Sequence, residues 1–202
     1  MNALQQLPPS IQSYVNFILP DGFELVDGQL QETQTMSEKS AWIGGEILVQ
    51  LSIHCKESKA GRVYPGDTAF RCFPGQKPSI RKPDVAFVRQ ERLPHLPGDR
   101  DLTIVPDLVV EVISPNETVY ELDGKIEQFL SVGTSLIWVV NPRTRVVIVH
   151  RLDGSMTKLR DTQELDGEMV LPGFRCRIAE ILPEPEPIIE VAEAEATPEE
   201  IN

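Results

Sequence analysis

The chain has 202 residues, of which 41% are hydrophobic and 25% charged, and its formal net charge is −12. These values are ordinary for one soluble globular domain, and no apolar run reaches the roughly 20 residues that span a bilayer. The three cysteines are widely spaced and odd in number. They therefore do not indicate a disulfide framework or a cysteine zinc site. No signal peptide is evident, so we expect a cytoplasmic protein.

The negative charge is concentrated at the end of the chain. Seven glutamates and no Lys or Arg lie between Glu184 and Glu200, and without them the net charge would be −5. We therefore predict one folded domain over residues 1–182 and an acidic, disordered tail over residues 183–202. A mildly acidic body argues against strong non-specific binding to nucleic acid. Four cations could still form a local nucleic-acid contact or a solvated strand edge, namely Arg71, Lys77, Arg81 and Lys82.

The first half of the chain alternates between helix and strand signals. Proline opens a short predicted helix over 8–18, and Asp27–Gly28 is a strong two-residue hairpin signal. Ser37 is the predicted N-cap of a long helix that runs to about His54. The apolar face of that helix is predicted to contain Ala41, Ile47, Leu48, Leu51 and Cys55, with Glu46 on the opposite face. Strands are predicted over 62–66, 68–74 and 84–88.

The stretch from Leu108 to Ser114 is apolar on both parities, which predicts a central strand covered on both faces. Glu111 interrupts this stretch. An ionised, unpaired carboxylate would cost several kcal/mol there, so a metal ion, a lysine or water must compensate it. The next helix is predicted over 118–132, and a parallel strand is predicted over 136–140. The apolar stripe of that helix is predicted to contain Val119, Leu122, Ile126, Phe129 and Leu130. Antiparallel strands over 145–151 and 155–159 and a hairpin at Asp166–Gly167 are expected to extend the sheet.

Two other residues are placed to complete a site around Glu111. Asp84 begins the strand in RKPDVAFV, and Lys125 lies at the margin of the apolar stripe of the predicted helix. Two carboxylates on short strands with a lysine beyond them are the outline of a divalent-metal hydrolytic site. Each residue also has a structural interpretation: an ion pair for Glu111, a turn for Asp84 and a solvated side chain for Lys125.

Three further polar residues lie near these positions. Glu121 and Gln128 flank Lys125 at helical spacing and could support it, although a surface role is the simpler interpretation. Asp107 repeats the Pro-Asp pattern before the central strand, where a capping or turn role is expected. The histidines share no metal-ligand spacing.

The ordered segments KPDVAFV, PDLVVEVISPNET, the lysine-bearing helix, GTSLIWVVNPRTRVVIVHR and LPGFRC resemble the Uma family, described as putative restriction endonucleases of the PD-(D/E)XK superfamily. The resemblance covers roughly residues 10–182. It implies an α/β fold with a restriction-endonuclease-like core, in which helices flank a central mixed β-sheet. The superfamily's Asp matches Asp84 and its Glu matches Glu111. The lysine of the simple ExK spacing would fall on Ile113, and in this family it is understood to have moved to the helix, where Lys125 matches.

The same resemblance implies a reaction. Mg²⁺ or Mn²⁺ would be held by Asp84, Glu111 and the backbone carbonyl of Val112, with Lys125 beside them, and the reaction would be hydrolysis of phosphodiester bonds in DNA. A homodimer would suit the cutting of both strands of a duplex.

Two alternatives stay open. The chain could be a non-catalytic module that binds a partner through the same fold, as its acidic charge would allow. Its substrate could also be RNA or a branched DNA junction, which the sequence does not separate from duplex DNA.

Overall fold

A computed structural model of the chain describes residue 14 and residues 17–33, 35–73, 78–93 and 101–184. In these ranges the chain forms two α-helices of more than three turns, α1 (Glu38–Ser58) and α2 (Val119–Ser131). Twelve strands are present in the same ranges: β1 Phe23–Val26, β2 Gln29–Glu32, β3 Gly61–Pro65, β4 Phe70–Phe73, β5 Ser79–Arg81, β6 Val85–Arg89, β7 Leu108–Val112, β8 Leu136–Asn141, β9 Val146–Arg151, β10 Met156–Arg160, β11 Glu164–Asp166 and β12 Arg175–Arg177.

The largest sheet has six strands in the order β10-β9-β8-β7-β6-β3. Only β7 and β8 pair in parallel, with Glu111 opposite Val139, and the other neighbours are antiparallel. Helix α2 connects the two parallel strands, as the sequence predicted. The sheet is therefore mixed, and its central strand β7 is buried along its whole length.

Alternation along the central strands divides the core into two layers. Leu108, Val110 and Val112 of β7 pack on the side of α1, whereas Val109 packs with Ile126 and Phe129 of α2. Phe73 of β4 covers the same side, because its ring meets that of Phe129 edge-on with 5.1 Å between the centroids. The predicted double coverage of this strand is confirmed. A side chain at position 111 therefore points into the layer that contains α2.

A second, smaller sheet has the order β2-β1-β5-β4, and its presence was not expected from the sequence. The hairpin at Asp27–Gly28 forms as predicted, and both of its turn residues have positive φ angles (49° and 80°). Leu25 of the hairpin pairs with Ile80 of β5. This pairing brings the hairpin next to the strand that leads into Asp84.

Two details of the predicted helices are wrong. On α1 the buried stripe is Ile43, Ile47, Leu51 and Cys55, while Ala41 is exposed. Residues four apart keep one face of this helix towards the sheet, and Ala41 falls outside that row. On α2 Val119 is 74% exposed, because the first turn of the helix extends beyond the edge of the core.

The strands after β10 also differ from the expectation. β11 and β12 pair with each other in a separate two-stranded sheet and do not extend the large one. Residues 167–174 form a longer connection than a tight hairpin, and in it Phe174 stacks on Trp138 of β8. Trp138 is fully buried.

The predicted helix over 8–18 and the tail over 183–202 lie almost entirely outside the described residues. Within the described ranges, no helix combines the length and the apolar surface that crossing a bilayer requires.

The three cysteines give a test of the core. Burial raises the pKa of Cys55 and Cys176 to about 11 and that of Cys72 to about 12. Because the thiolate is the reactive form, we expect no reaction of these thiols with Ellman's reagent at about pH 8 in the folded protein. All three should react after unfolding in guanidinium chloride. Rapid labelling of the folded protein would contradict this packing.

Candidate active site

Glu111 lies in the middle of the large sheet, and its side chain is only 4% exposed. Alternation places it on the same side of β7 as Val109, facing α2. Its Oε2 accepts a hydrogen bond from the Lys125 ammonium at 2.8 Å. Its Oε1 is buried and has no hydrogen-bond partner among the described residues. One carboxylate oxygen is thus paired, and the other is still uncompensated.

Asp84 comes next to Glu111 through the pairing of β6 with β7. Val85 is opposite Val110, so the same register continued by one residue sets Asp84 opposite Glu111. Asp84 also shares the face of Ala86, which packs in the α2 layer. Its Oδ2 accepts a hydrogen bond from the backbone N–H of Val112 at 2.6 Å. The two predicted carboxylates therefore meet on one face of the sheet, as neighbours on adjacent strands.

Lys125 reaches this point from α2. The helix begins at a capping box, in which Thr118 and Glu121 each accept a hydrogen bond from the other's backbone N–H. This fixed start places Lys125 two turns further on, over the carboxylates. Its side chain is 12% exposed, and its ammonium donates to Glu111 and to the backbone carbonyl of Lys82 at 3.2 Å. Glu121 therefore has a structural role at the start of the helix.

A third carboxylate, which the sequence did not indicate, belongs to the same cluster. Glu24 on β1 lies 3.9 Å from the Lys125 ammonium and accepts a hydrogen bond from Arg81 at 3.1 Å. It also accepts from the backbone N–H of Lys82. Gln128 accepts a hydrogen bond from Arg81 at 2.7 Å. It therefore supports the cluster by holding Arg81. Nothing in the local pattern of β1 could have indicated this, because the contacts come from β5 and α2.

The cluster lines a cleft of about 590 Å³ between the two larger sheets and the start of α2. Three cations line it, namely Arg81, Lys82 and Lys125, and they are outnumbered by seven carboxylates: Glu24, Glu32, Asp67, Asp84, Glu111, Glu117 and Glu121. The cleft is therefore strongly acidic. Its walls attract cations and repel an anion that has no cation to accompany it.

Burial is the main cause of the raised carboxyl pKa values in the cleft, and the neighbouring carboxylates raise the pKa of Lys125. Burial raises the pKa of Glu111 well above its ordinary value, against the effect of Lys125, and it raises the pKa of Asp84 in the same way. Burial also raises the pKa of Glu117, which is half-buried nearby and was not singled out from the sequence. Burial alone would lower the pKa of Lys125, but the carboxylates of Glu111, Glu24 and Asp84 outweigh it, so the pKa is raised. Lys125 therefore carries its charge at neutral pH.

The donors in the cleft suit a hard divalent cation. In the described ranges no group of three or more His, Cys, Asp or Glu side chains is arranged as a metal site. Two carboxylates are nevertheless adjacent, and the free Oε1 of Glu111 is the kind of buried oxygen that a cation would satisfy. Carboxylate oxygen is the preferred ligand of Mg²⁺, which is usually held by one or two carboxylates and keeps several waters. The residues present therefore fit such an ion.

The basic group predicted near the site is not a solvated strand edge. Arg71, Arg81 and Lys82 have side chains that are only 8%, 7% and 11% exposed. Arg71 does not line the cleft and pairs with Asp101, and Arg81 pairs with Glu24. Lys77 lies outside the described residues. Of the other three cations, Lys82 is the one that lines the cleft and has no carboxylate at hydrogen-bond distance among the described residues, since Asp67 lies 3.9 Å from its ammonium.

Two other residues considered in the sequence, Asp107 and Glu46, lie outside the cleft. Asp107 is buried and accepts hydrogen bonds from the backbone N–H of Arg89 at 2.9 Å and from the Arg92 guanidinium at 2.7 Å. It therefore fixes the end of β6, in line with the expected structural role. Glu46 is partly buried on α1 and does not line the cleft.

Comparison with known proteins gives one family and one fold. The model of the Uma2 family, described as "Putative restriction endonuclease", matches residues 18–179. The fold is similar to that of a solved protein from Anabaena variabilis ATCC 29413, described as a putative nuclease belonging to DUF820, with a TM-score of 0.72 and 16% sequence identity. The match covers 86% of this chain and 97% of that one. No curated protein matches the chain. The predicted fold class is confirmed.

The role of Glu24 in holding the cluster together gives a stability test. We expect Glu24→Ala to lower the free energy of unfolding by about 3 kcal/mol, because it leaves the buried Arg81 guanidinium without its carboxylate. Glu32→Ala is the matched control, since Glu32 is an exposed carboxylate of the same hairpin, and it should change stability by less than about 0.5 kcal/mol. Urea unfolding measures both. Equal midpoints for the two variants would mean that Glu24 does not hold Arg81.

Proposed function

Because the chain belongs to the Uma2 family of putative restriction endonucleases, we propose that its acidic cleft is the active site of a Mg²⁺- or Mn²⁺-dependent nuclease that hydrolyses phosphodiester bonds in DNA. In this proposal Asp84 and Glu111 hold the metal ion with the backbone carbonyl of Val112, and Lys125 acts beside them.

The unpaired Oε1 of Glu111 is the observation that carries the proposal. A buried carboxylate oxygen without a partner costs free energy, and folded proteins rarely leave one without a functional reason. Lys125 compensates the other oxygen of the same group, so a second cation is needed to complete the site. Asp84 supplies a further carboxylate from the adjacent strand, next to the place where that cation would bind.

The protein groups would divide the work as follows. A bound Mg²⁺ or Mn²⁺ would lower the pKa of a water molecule and offset the charge that develops on the phosphate oxygens. The N–H of Val112 keeps the Asp84 carboxylate turned towards Glu111. The Lys125 ammonium uses two of its three donors on Glu111 and on the carbonyl of Lys82, which leaves a third for a phosphate oxygen or for the water. Water adds to phosphorus, the bond from phosphorus to one sugar oxygen breaks, and the proton lost by the water balances the one gained by that oxygen.

One contact also favours a second candidate function. The 2.8 Å pair between Glu111 and Lys125 would compensate the buried carboxylate in a non-catalytic protein just as it would orient an active lysine. A binding module on this fold would then hold a partner in the same cleft. The two functions differ in whether a divalent ion binds and whether a nucleic acid is cut.

Metal binding can be tested without knowing the substrate. A ligand at a hundred times its dissociation constant stabilises the folded state by about 2.7 kcal/mol, which raises the melting temperature of a chain of this size by roughly 5–11 °C. We expect Mg²⁺ or Mn²⁺ to produce such a shift, and Glu111→Gln to abolish it while preserving the fold. Glu57→Gln removes an exposed carboxylate of α1 and should leave the shift unchanged. A wild-type protein whose melting temperature ignores both metals would favour the non-catalytic module.

Cleavage tests the chemistry itself. Duplex, single-stranded and branched DNA and RNA should be incubated with and without Mg²⁺ or Mn²⁺. We expect metal-dependent cutting of DNA that falls by at least about a hundredfold in Asp84→Asn, Glu111→Gln and Lys125→Ala, because each change removes a charge from the reacting centre. Glu57→Gln again serves as the control. Cutting at the wild-type rate in Asp84→Asn and Glu111→Gln would refute the proposed site, and cutting of RNA alone would change the substrate.

A further inference from the structure

An acidic cleft that acts on a polyanion needs a fixed positive charge for the substrate, and the three cations of the cleft are not equivalent. Arg81 donates to Gln128 at 2.7 Å and to Glu24 at 3.1 Å, and Lys125 donates to Glu111 at 2.8 Å. Both are paired with carboxylates of the cleft at hydrogen-bond distance. Their charges are therefore largely neutralised by the protein itself.

Lys82 differs from both of them. The only carboxylate found near its ammonium in the described part of the chain is that of Asp67, at 3.9 Å, which is beyond hydrogen-bond distance. The Asp67 side chain is 94% exposed, so water screens this pair and it contributes little. The Lys82 side chain itself is only 11% exposed. Lys82 thus lines the cleft with a largely covered side chain, and in the described ranges no carboxylate lies within hydrogen-bond distance of its ammonium.

Both backbone polar groups of Lys82 are hydrogen-bonded to side chains of the site. Its N–H donates to Glu24, and its carbonyl accepts from the Lys125 ammonium at 3.2 Å. Pro83 follows and restricts the backbone, and Asp84 comes next in the chain. The residue is therefore fixed relative to the proposed metal site. It lines the same cleft, as does Asp67, the residue nearest its ammonium.

From this arrangement we infer that Lys82 binds a backbone phosphate of the nucleic acid strand next to the scissile position. The inference rests on the proposed function, because it names the residue that recognises the substrate of that site. A phosphate on Lys82 would gain a charge-assisted contact that none of the cleft carboxylates competes for at close range. It would also be placed two residues from Asp84, beside the position where hydrolysis takes place. Lys82 is in this sense a positioning residue for the substrate.

The salt dependence of binding tests this role directly. The affinity of a fluorescein-labelled DNA duplex is measured by anisotropy over a range of salt concentrations, with Ca²⁺ in place of Mg²⁺. For duplex DNA each phosphate contact contributes about 0.9 to the slope of log affinity against log salt. We expect Lys82→Gln to reduce that slope by about one and to weaken binding roughly tenfold near 0.1 M salt. Lys82→Arg, which keeps the charge, should restore most of both.

Lys158→Gln is the matched control, since it removes one exposed lysine charge from the edge strand β10, away from the cleft. Its slope should stay at the wild-type value. In cleavage assays with Mg²⁺, Lys82→Gln should raise KM about tenfold and change kcat by less than about threefold, whereas a purely structural role would lower kcat through misfolding. Melting curves of both variants check that the fold is kept.

Each outcome decides between the two proposals. An unchanged salt slope in Lys82→Gln, with DNA cut normally by the wild type, would overturn the role of Lys82 and leave the nuclease intact. Binding that depends on Lys82 without any cutting would support this role and contradict the proposed hydrolysis. A wild type that binds no DNA at all would overturn both.

Discussion

A carboxylate in the middle of a buried strand is the constraint on which the rest of this structure depends. Glu111 is one residue of an otherwise apolar strand, and its burial is tolerated because Lys125 reaches it from the helix that follows. The parallel crossover from β7 through α2 to β8 places that helix over the strand, and the capping box at Thr118 fixes where the helix begins. The position of the helix and the pairing of the strands together bring Lys125 to Glu111.

Lys125 also links this ion pair to the smaller sheet. Glu24 comes from the hairpin of the smaller sheet, and it contacts Lys125 of α2 and Arg81 of β5. Breaking a buried pair of this kind is costly, while the pair itself adds little net stability compared with apolar packing. Burying three carboxylates and two cations at one point is therefore hard to explain by stability alone. It is easier to explain if the cluster serves to hold a cation and a phosphate in fixed positions.

The acidity of the cleft also bears on how a polyanion would be bound. Repulsion from seven carboxylates would keep nucleic acid away from the metal-free protein, and a divalent ion would offset part of this negative charge at the point where it binds. Binding and hydrolysis would then both require the metal. A cleft of this charge suits selective action on a bound strand better than tight, unspecific adhesion to any nucleic acid.

The sequence by itself determined the features that depend on neighbours in the chain. The Asp27–Gly28 turn, the Ser37 cap and the apolar run around Glu111 are local patterns, and the structure contains each of them. Asp84, Glu111 and Lys125 were identified in the same way, with the help of the family resemblance, and the structure brings all three together. Their roles in metal binding and catalysis stay predictions.

Only the tertiary structure decided which distant residues complete the cluster. Glu24 and Arg81 are 57 positions apart, and their contact exists because β1 pairs with β5, a pairing that neither strand signals by itself. The burial of Lys82, which the sequence left open as a solvated edge, follows from the same packing. Alternation and helical periodicity report which face of an element is apolar, but they do not report which other element covers it.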